Sequence, residues 1–147
     1  MINLYGTYSH NIDAKGRLSL PAKFRKKLEC GDQSGDLVAT VDLSGQCLYV
    51  FSEEGYEEWV ALIFEKMGGY DPRNVSHMAY RTALMERAVE VSLDAAGRIN
   101  LPPALREAAG LEKEVDLIGN AGYFEIWDAK RREAARSQVD LSALLVS

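Results

Sequence analysis

The strongest constraint on this chain is that it carries the same unit twice. One segment runs Ile12-Asp13-Ala14-Lys15-Gly16-Arg17-Leu18-Ser19-Leu20-Pro21-Ala22-Lys23-Phe24-Arg25. A later one runs Leu93-Asp94-Ala95-Ala96-Gly97-Arg98-Ile99-Asn100-Leu101-Pro102-Pro103-Ala104-Leu105-Arg106. Asp, Ala, Gly, Arg, Leu, Pro and the final Arg recur in register, and the flanking positions stay apolar. Duplication of a supersecondary unit explains this better than chance. A unit of roughly 45 residues is too small to bury a good core by itself. Two copies in one chain can pack face to face, so the repeat predicts an α+β fold. The expected form is an intrachain pseudo-dimeric β-barrel with helices packed outside.

Each unit parses in the same way. A strand (Gly6 to Ile12, or Ala88 to Leu93) enters a tight turn, and Val89, Val91 and Leu93 alternate with Glu90 and Ser92. Asp13 and Asp94 open the turns, while Gly16 and Gly97 give the backbone freedom a turn needs. A short strand follows (Arg17 to Leu20, or Arg98 to Leu101). Pro21 and Pro102 then stand where a short helix begins, a position that needs no N–H donor. Gly110 is a candidate cap at the end of the second of these helices. A strand-turn-strand hairpin closes each unit: Leu37 to Val41 with Cys47 to Phe51, and Val115 to Ile118 with Tyr123 to Trp127. The first unit has extra residues, Gly31 to Gly35, read as a surface connection.

Helices are expected between and after the units. Tyr56, Trp59, Val60, Ile63, Phe64 and Met67 fall at the 3–4 spacing of an amphipathic helix. Ser52 can cap it, Glu53 and Glu54 suit its positive end, and Gly68-Gly69 stop it. A second helix is expected from Asp71-Pro72 to about Leu84. Asp128 is a candidate cap for a third, from Ala129 to about Gln138, and residues 141–147 read as a frayed end. The division is then unit 1 over 5–54, connecting helices over 55–82, unit 2 over 83–127, and a final helix and tail over 128–147.

Composition narrows the function classes. No apolar run approaches the roughly 20 residues of a membrane helix. Met1 to His10 lacks the basic start and apolar stretch of a signal peptide, so a cytoplasmic location is expected. Cys30 and Cys47 form no C-x-x-C pair and read as two buried thiols. His10 and His77 have no partner at metal-ligand spacing, and no nucleophile motif or phosphate-binding loop is present. No enzyme activity, cofactor, metal or small-molecule substrate is expected. Trp59 and Trp127 read as core or interface anchors, and Glu57-Glu58 as a solvated helix face.

Net charge is −5, which alone counts against nucleic acid as a partner. Its distribution argues the other way. Lys15, Arg17, Lys23, Arg25, Lys26 and Lys27 lie in one segment without an acid among them. Lysines there can neutralise phosphates, and the planar fork of Arg17 can meet phosphate or guanine bidentately. The candidate DNA-binding residues are therefore Lys15, Arg17, Lys23, Arg25, Lys26, Lys27 and, in the second unit, Arg98. Asp13, Gly16, Asp94 and Gly97 are expected to be structural turn residues. Other roles compete at several positions. Asp13 with Arg17, and Asp94 with Arg98, can pair across the turn; Arg25 and its counterpart Arg106 can be scaffold or subunit contacts; the lysines can be a solvated helix face.

The turn Asp13-Ala14-Lys15-Gly16-Arg17, its copy Asp94-Ala95-Ala96-Gly97-Arg98 and the Leu18-x-Leu20-Pro21 and Ile99-x-Leu101-Pro102 steps resemble the signature of the MraZ family. Phe51-Ser52 with Trp59, and Glu125-Ile126-Trp127-Asp128, match it too. The resemblance covers nearly the whole chain. It implies two tandem SpoVT/AbrB-like units of the swapped-hairpin DNA-binding fold. It also implies transcriptional regulation of the bacterial division and cell-wall gene cluster, through repeated sites in its own promoter. Ring-like homo-oligomers and a nucleoid-associated location are further implications. The second unit departs from the first: Lys23, Lys26 and Lys27 correspond to Ala104, Glu107 and Ala108. The competing functional reading is a ring-forming structural or protein-interaction scaffold, whose basic segment meets an acidic protein.

Overall fold

The computed structural model describes residues 2–28 and 36–146. Cys30 and the Gly31 to Gly35 connection lie outside the described residues. Among the described residues, eight strands and five helices fall in two matching runs joined by an extra helix. The first run is β1 (Thr7–Asn11), β2 (Arg17–Ser19), α1 (Ala22–Lys27), β3 (Leu37–Val41), β4 (Leu48–Ser52) and α2 (Glu53–Glu65). After α3 (Val75–Glu86) come β5 (Val89–Val91), β6 (Arg98–Asn100), α4 (Pro103–Ala108), β7 (Glu114–Asn120), β8 (Tyr123–Asp128) and α5 (Ala129–Arg136).

The strands form an antiparallel sheet in the order β1-β7-β8-β4-β3-β5, and β2 pairs with β6 in a separate two-stranded ribbon. Exchanging the units maps β1 on β5, β3 on β7 and β4 on β8. The strand order therefore reads the same from either edge. Each unit's first strand joins the other unit's hairpin: Ser9 faces Asp116, and Ala39 faces Val89. The hairpins meet in the middle, with Leu48 facing Ile126. The pairings leave β1 and β5 as sheet edges, so the described strands form an open sheet and a ribbon and not the closed barrel expected from the repeat.

The core explains why neither unit suffices alone. Leu18, Leu20 and Phe24 of the first unit share one cluster with Ile99, Leu101 and Leu105 of the second. Leu48, Val50, Phe124 and Ile126 from the central strands roof it. Burying a side chain of this size contributes about 1.5–3 kcal/mol, and the cluster exists only when both copies supply it. On the opposite sheet face, Val38 and Phe51 pack with Tyr56, Val60 and Phe64 of α2 and Leu84 of α3. That is why Leu37 to Thr40 is buried without alternation: β3 is covered on both faces.

Most local signals hold. Ser52 caps α2 by accepting the Gly55 N–H at 3.0 Å. Gly110, at φ 66°, follows α4; its N–H and that of Leu111 return to Glu107 and Arg106 carbonyls, which is a Schellman closure. Four expectations need correction. α3 starts at Val75, because Asn74 takes the cap and accepts the His77 N–H. The Asp71 carboxylate instead accepts from Arg73 N in the preceding turn. Asp128 stands at the N-cap of α5 but makes no side-chain cap bond; its carboxylate accepts the Glu112 N–H at 3.1 Å, tying the helix start to the loop between α4 and β7. Met67 lies beyond α2, and Leu141–Val146 forms a 3₁₀ turn with no buried residue.

Candidate nucleic-acid interface

The two Asp-to-Arg turns are the same object built twice. In the first, Asp13 Oδ1 accepts the N–H groups of Lys15 and Arg17, both at 2.9 Å, and Oδ2 accepts Arg17 Nε at 2.8 Å. In the second, Asp94 Oδ1 accepts Ala96 and Arg98 N–H at 2.9 Å, and Oδ2 accepts Arg98 Nε at 3.0 Å. One carboxylate thus closes an Asx turn and orients an arginine, as expected for a short side chain that hydrogen-bonds local backbone. The expected structural pairing across each turn is present. It engages each arginine through Nε.

The turns are locked crosswise. Leu20 N–H donates to Gly97 O, and Leu101 N–H donates to Gly16 O, so each β2 or β6 end holds the other unit's turn. The arginines five residues on do the same. Arg25 lies against Gly97, where an added Cβ would fall 2.8 Å from its Cζ. Arg106 lies against Gly16, and its Nε donates to Leu101 O at 3.0 Å. Gly16 and Gly97 have φ of 83° and 81°, a region that side chains disfavour. They therefore satisfy two demands at once, the turn and the close approach of an arginine.

The ribbon this produces has one dry and one wet face. Leu18 and Ile99 are fully buried, while Ser19 and Asn100 are exposed. Arg17 faces Asn100 and Ser19 faces Arg98 across the antiparallel pair. Strand alternation puts all four on the outer face. The repeat motif pointed to the arginines but not to Ser19 and Asn100. Their signal was the same period of two, counted from Arg17 and Arg98.

Lys15 is exposed at the tip of the first turn, where the second has Ala96. The α1 cations divide among different surroundings. Lys27 donates to Asn3 O at 2.9 Å, and its amine sits 4.7 Å over the Tyr5 ring. Lys23 and Lys27 flank a cavity of about 130 Å³ beside Tyr5 and Tyr8. Lys26 is exposed, and Arg25 is half-buried at the second turn. A further basic element was not singled out from the sequence: α5, with Lys130, Arg131, Arg132 and Arg136.

Other titratable groups serve the scaffold. His77 is buried, packs at a tilt against Phe64 and accepts the Asp71 N–H on Nδ1 at 3.0 Å. Cys47 is buried, and that burial, with Glu125 nearby, pushes its thiol well above the usual range. Among the described residues no three His, Cys, Asp or Glu groups converge as a metal site, and no helix is long and apolar enough to cross a membrane.

The turns carry a pH signature. Backbone N–H donation, first from Arg17 and Arg98 respectively, holds the Asp13 and Asp94 carboxyls below the ordinary value of 3.8. A carboxyl depressed on folding contributes stability above its unfolded pKa and loses it as pH falls through the folded value. Thermal midpoints should therefore be insensitive to these groups from neutral pH to about 5 and fall below about 4. The Asp13→Asn, Asp94→Asn double variant should show a shallower acid decline in melts followed by circular dichroism. An unchanged acid slope would show that these turns do not carry it.

The comparisons with known proteins agree with this arrangement. The family described as "MraZ protein, putative antitoxin-like" matches residues 4–67 and 84–143, so its two segments bracket the two turns. A protein of Coxiella burnetii named Transcriptional regulator MraZ is 37% identical over 125 residues, 85% of this chain and 79% of its own length. One of the same name from Shewanella denitrificans is 36% identical over 142 residues, 96% of this chain and 88% of its own. Another, from Sodalis glossinidius, is 38% identical over 118 residues, 80% and 74% respectively. With a doubled turn of one geometry, a family match over both copies and relatives similar along most of their length, the chain belongs to the MraZ family.

Proposed function

We propose that this chain is a sequence-specific DNA-binding transcriptional regulator of the bacterial division and cell-wall gene cluster, binding repeated sites in its own promoter as a homo-oligomer. The observation that carries the reading is the wet face of the β2–β6 ribbon, where Arg17, Ser19, Arg98 and Asn100 stand together. The major groove is about 12 Å wide and admits a two-stranded ribbon. Arg and Asn are the side chains whose donor and acceptor geometry matches guanine and adenine edges. The relatives' name, Transcriptional regulator, supports the same class. In this reading residues 5–54 and 83–127 are two SpoVT/AbrB-like units acting as an intrachain pseudo-dimer, in a cytoplasmic, nucleoid-associated protein that is not an enzyme.

Roles follow from position. Lys15, Lys23, Lys26 and Lys27 supply phosphate contacts, which position without specifying. Arg17 and Arg98 approach base edges or groove walls. Arg25 acts by holding the second turn. One chain offers few contacts, so several copies must engage repeated sites together.

The test is a mobility shift with the protein's own upstream promoter fragment across a salt series. If these four lysines of each copy meet phosphates, the logarithm of the binding constant should fall with log salt at a slope of about −3.6 per engaged copy. No shift at low salt would overturn this reading in favour of a ring-forming scaffold. Binding that hardly changes with salt would overturn the phosphate-driven account.

A further inference from the structure

We infer that the apolar turn Leu141–Val146 of one copy docks in the groove between α2 and α3 of a second copy, with the basic α5 of the first set against the acidic α2 of the second. The inference rests on the self-association proposed above and names the surfaces that make it. Both surfaces are open in the isolated chain. The groove is about 720 Å³, lined by Val60, Phe64, Tyr70 and Met85, with Glu53 and Glu57 on its α2 side, Glu90 at one end and a single cation, Arg81 of α3, against them. On the turn, Leu141 is 72% exposed, and Leu145 and Val146 are each 87% exposed. Neighbouring apolar side chains left this open mark an interaction site more often than an ordinary monomer surface.

Charge selects the pairing. α2 carries Glu53, Glu54, Glu57, Glu58 and Glu65 and no Lys or Arg, a net of −5. α5 carries Lys130, Arg131, Arg132 and Arg136 against Glu133, a net of +3, although Arg131 donates to Ala109 O at 3.1 Å and Arg136 lies 3.8 Å from Asp116 within its own chain. Complementary potentials of this kind fix orientation between partners. An apolar turn directly after a basic helix thus meets an apolar groove beside an acidic one.

Topology makes the contact intermolecular. α2 leaves directly from the end of β4, and α5 directly from the end of β8. β4 and β8 are antiparallel neighbours, so the two helices depart from opposite ends of the central pair. The units are equivalent in the strand order, yet α2 is backed by α3 while α5 has no buried residue. A second copy's groove would complete the α5 end as α3 completes the α2 end. Such a contact is heterologous and propagates until the rotation closes.

The test uses the full chain and two variants at exposed positions, which should fold normally. Leu141→Asp with Leu145→Asp disables the turn; Met85→Glu disables the groove. By sedimentation velocity each variant alone should need at least about 10-fold more protein to assemble than the parent. Mixed, they should form a one-to-one pair and nothing larger, because each retains the half the other lacks. Parent-like assembly by either variant, or a mixture that stays monomeric, would overturn the docking. So would Lys130→Glu with Arg136→Glu if it weakened DNA binding while leaving assembly intact, since α5 would then serve DNA. A parent protein that stays monomeric would instead remove the proposed self-association itself, and the docking with it.

Discussion

Replacing Arg17 with alanine is expected to abolish or severely weaken promoter binding, and Arg98→Ala to weaken it less, with small, matched losses of stability. The matching follows from geometry: each arginine donates through Nε to its aspartate, at 2.8 and 3.0 Å, with similar exposure. Pairs this open to solvent contribute little to stability, so the melting temperatures should shift by a few degrees at most in a chain of this size. The binding difference follows from surroundings. Lys15 and Lys26 accompany the first turn and its helix, where the second copy has Ala96 and Glu107. A lost arginine contact costs about 1–3 kcal/mol, and several copies engaged at once multiply that loss. Titrating both variants against one promoter fragment, with parallel melts, decides the matter. Equal binding losses with unchanged melts would mean that both turns face DNA alike. Equal losses with large matched drops in melting temperature would make both arginines scaffold residues.

Gly119→Ala should be among the most damaging single changes to stability, although the position lies in a strand and far from the ribbon motif. The segment Leu4 to Gly6 crosses directly over it. Gly119 N–H donates to Gly6 O at 2.9 Å, and Leu4 and Ala121 exchange backbone bonds at 2.7 and 2.8 Å. A Cβ at residue 119 would fall 2.5 Å from the Leu4 carbonyl carbon and Tyr5 Cα. Backbone atoms cannot rotate away, so the crossing segment must lift. Leu4 is 1% exposed and belongs to the main core; withdrawing a buried leucine costs about 2–5 kcal/mol. That corresponds to roughly 5–15 °C in melting temperature for about 150 residues. Gly122→Ala is the control, because nothing lies within 4 Å of a Cβ there. Equal melts for the two variants would refute the crowding argument.

The sequence by itself determined the local devices. Five residues contain every group of the Asp13 to Arg17 turn, so its form is legible wherever the motif recurs. Ser52 as a cap and Gly110 as a helix end are equally local, each settled by groups within a few residues. Duplication also foretold that the core must be shared, since one unit has too little apolar surface. What the tertiary structure decided lies in contacts between residues far apart in the chain. Asp128 has the form of a cap, yet the Glu112 N–H is the donor its carboxylate takes. Arg25 reads as one more cation in a basic run, yet it packs on Gly97, 72 positions later. Ser19 and Asn100 became candidates only when β2 paired with β6 and set them beside the arginines. The exchange of first strands between hairpins, which leaves an open sheet with β1 and β5 at its edges, is a choice among pairings that the strand patterns allow equally. It is fixed by which packing buries both halves of one core at once.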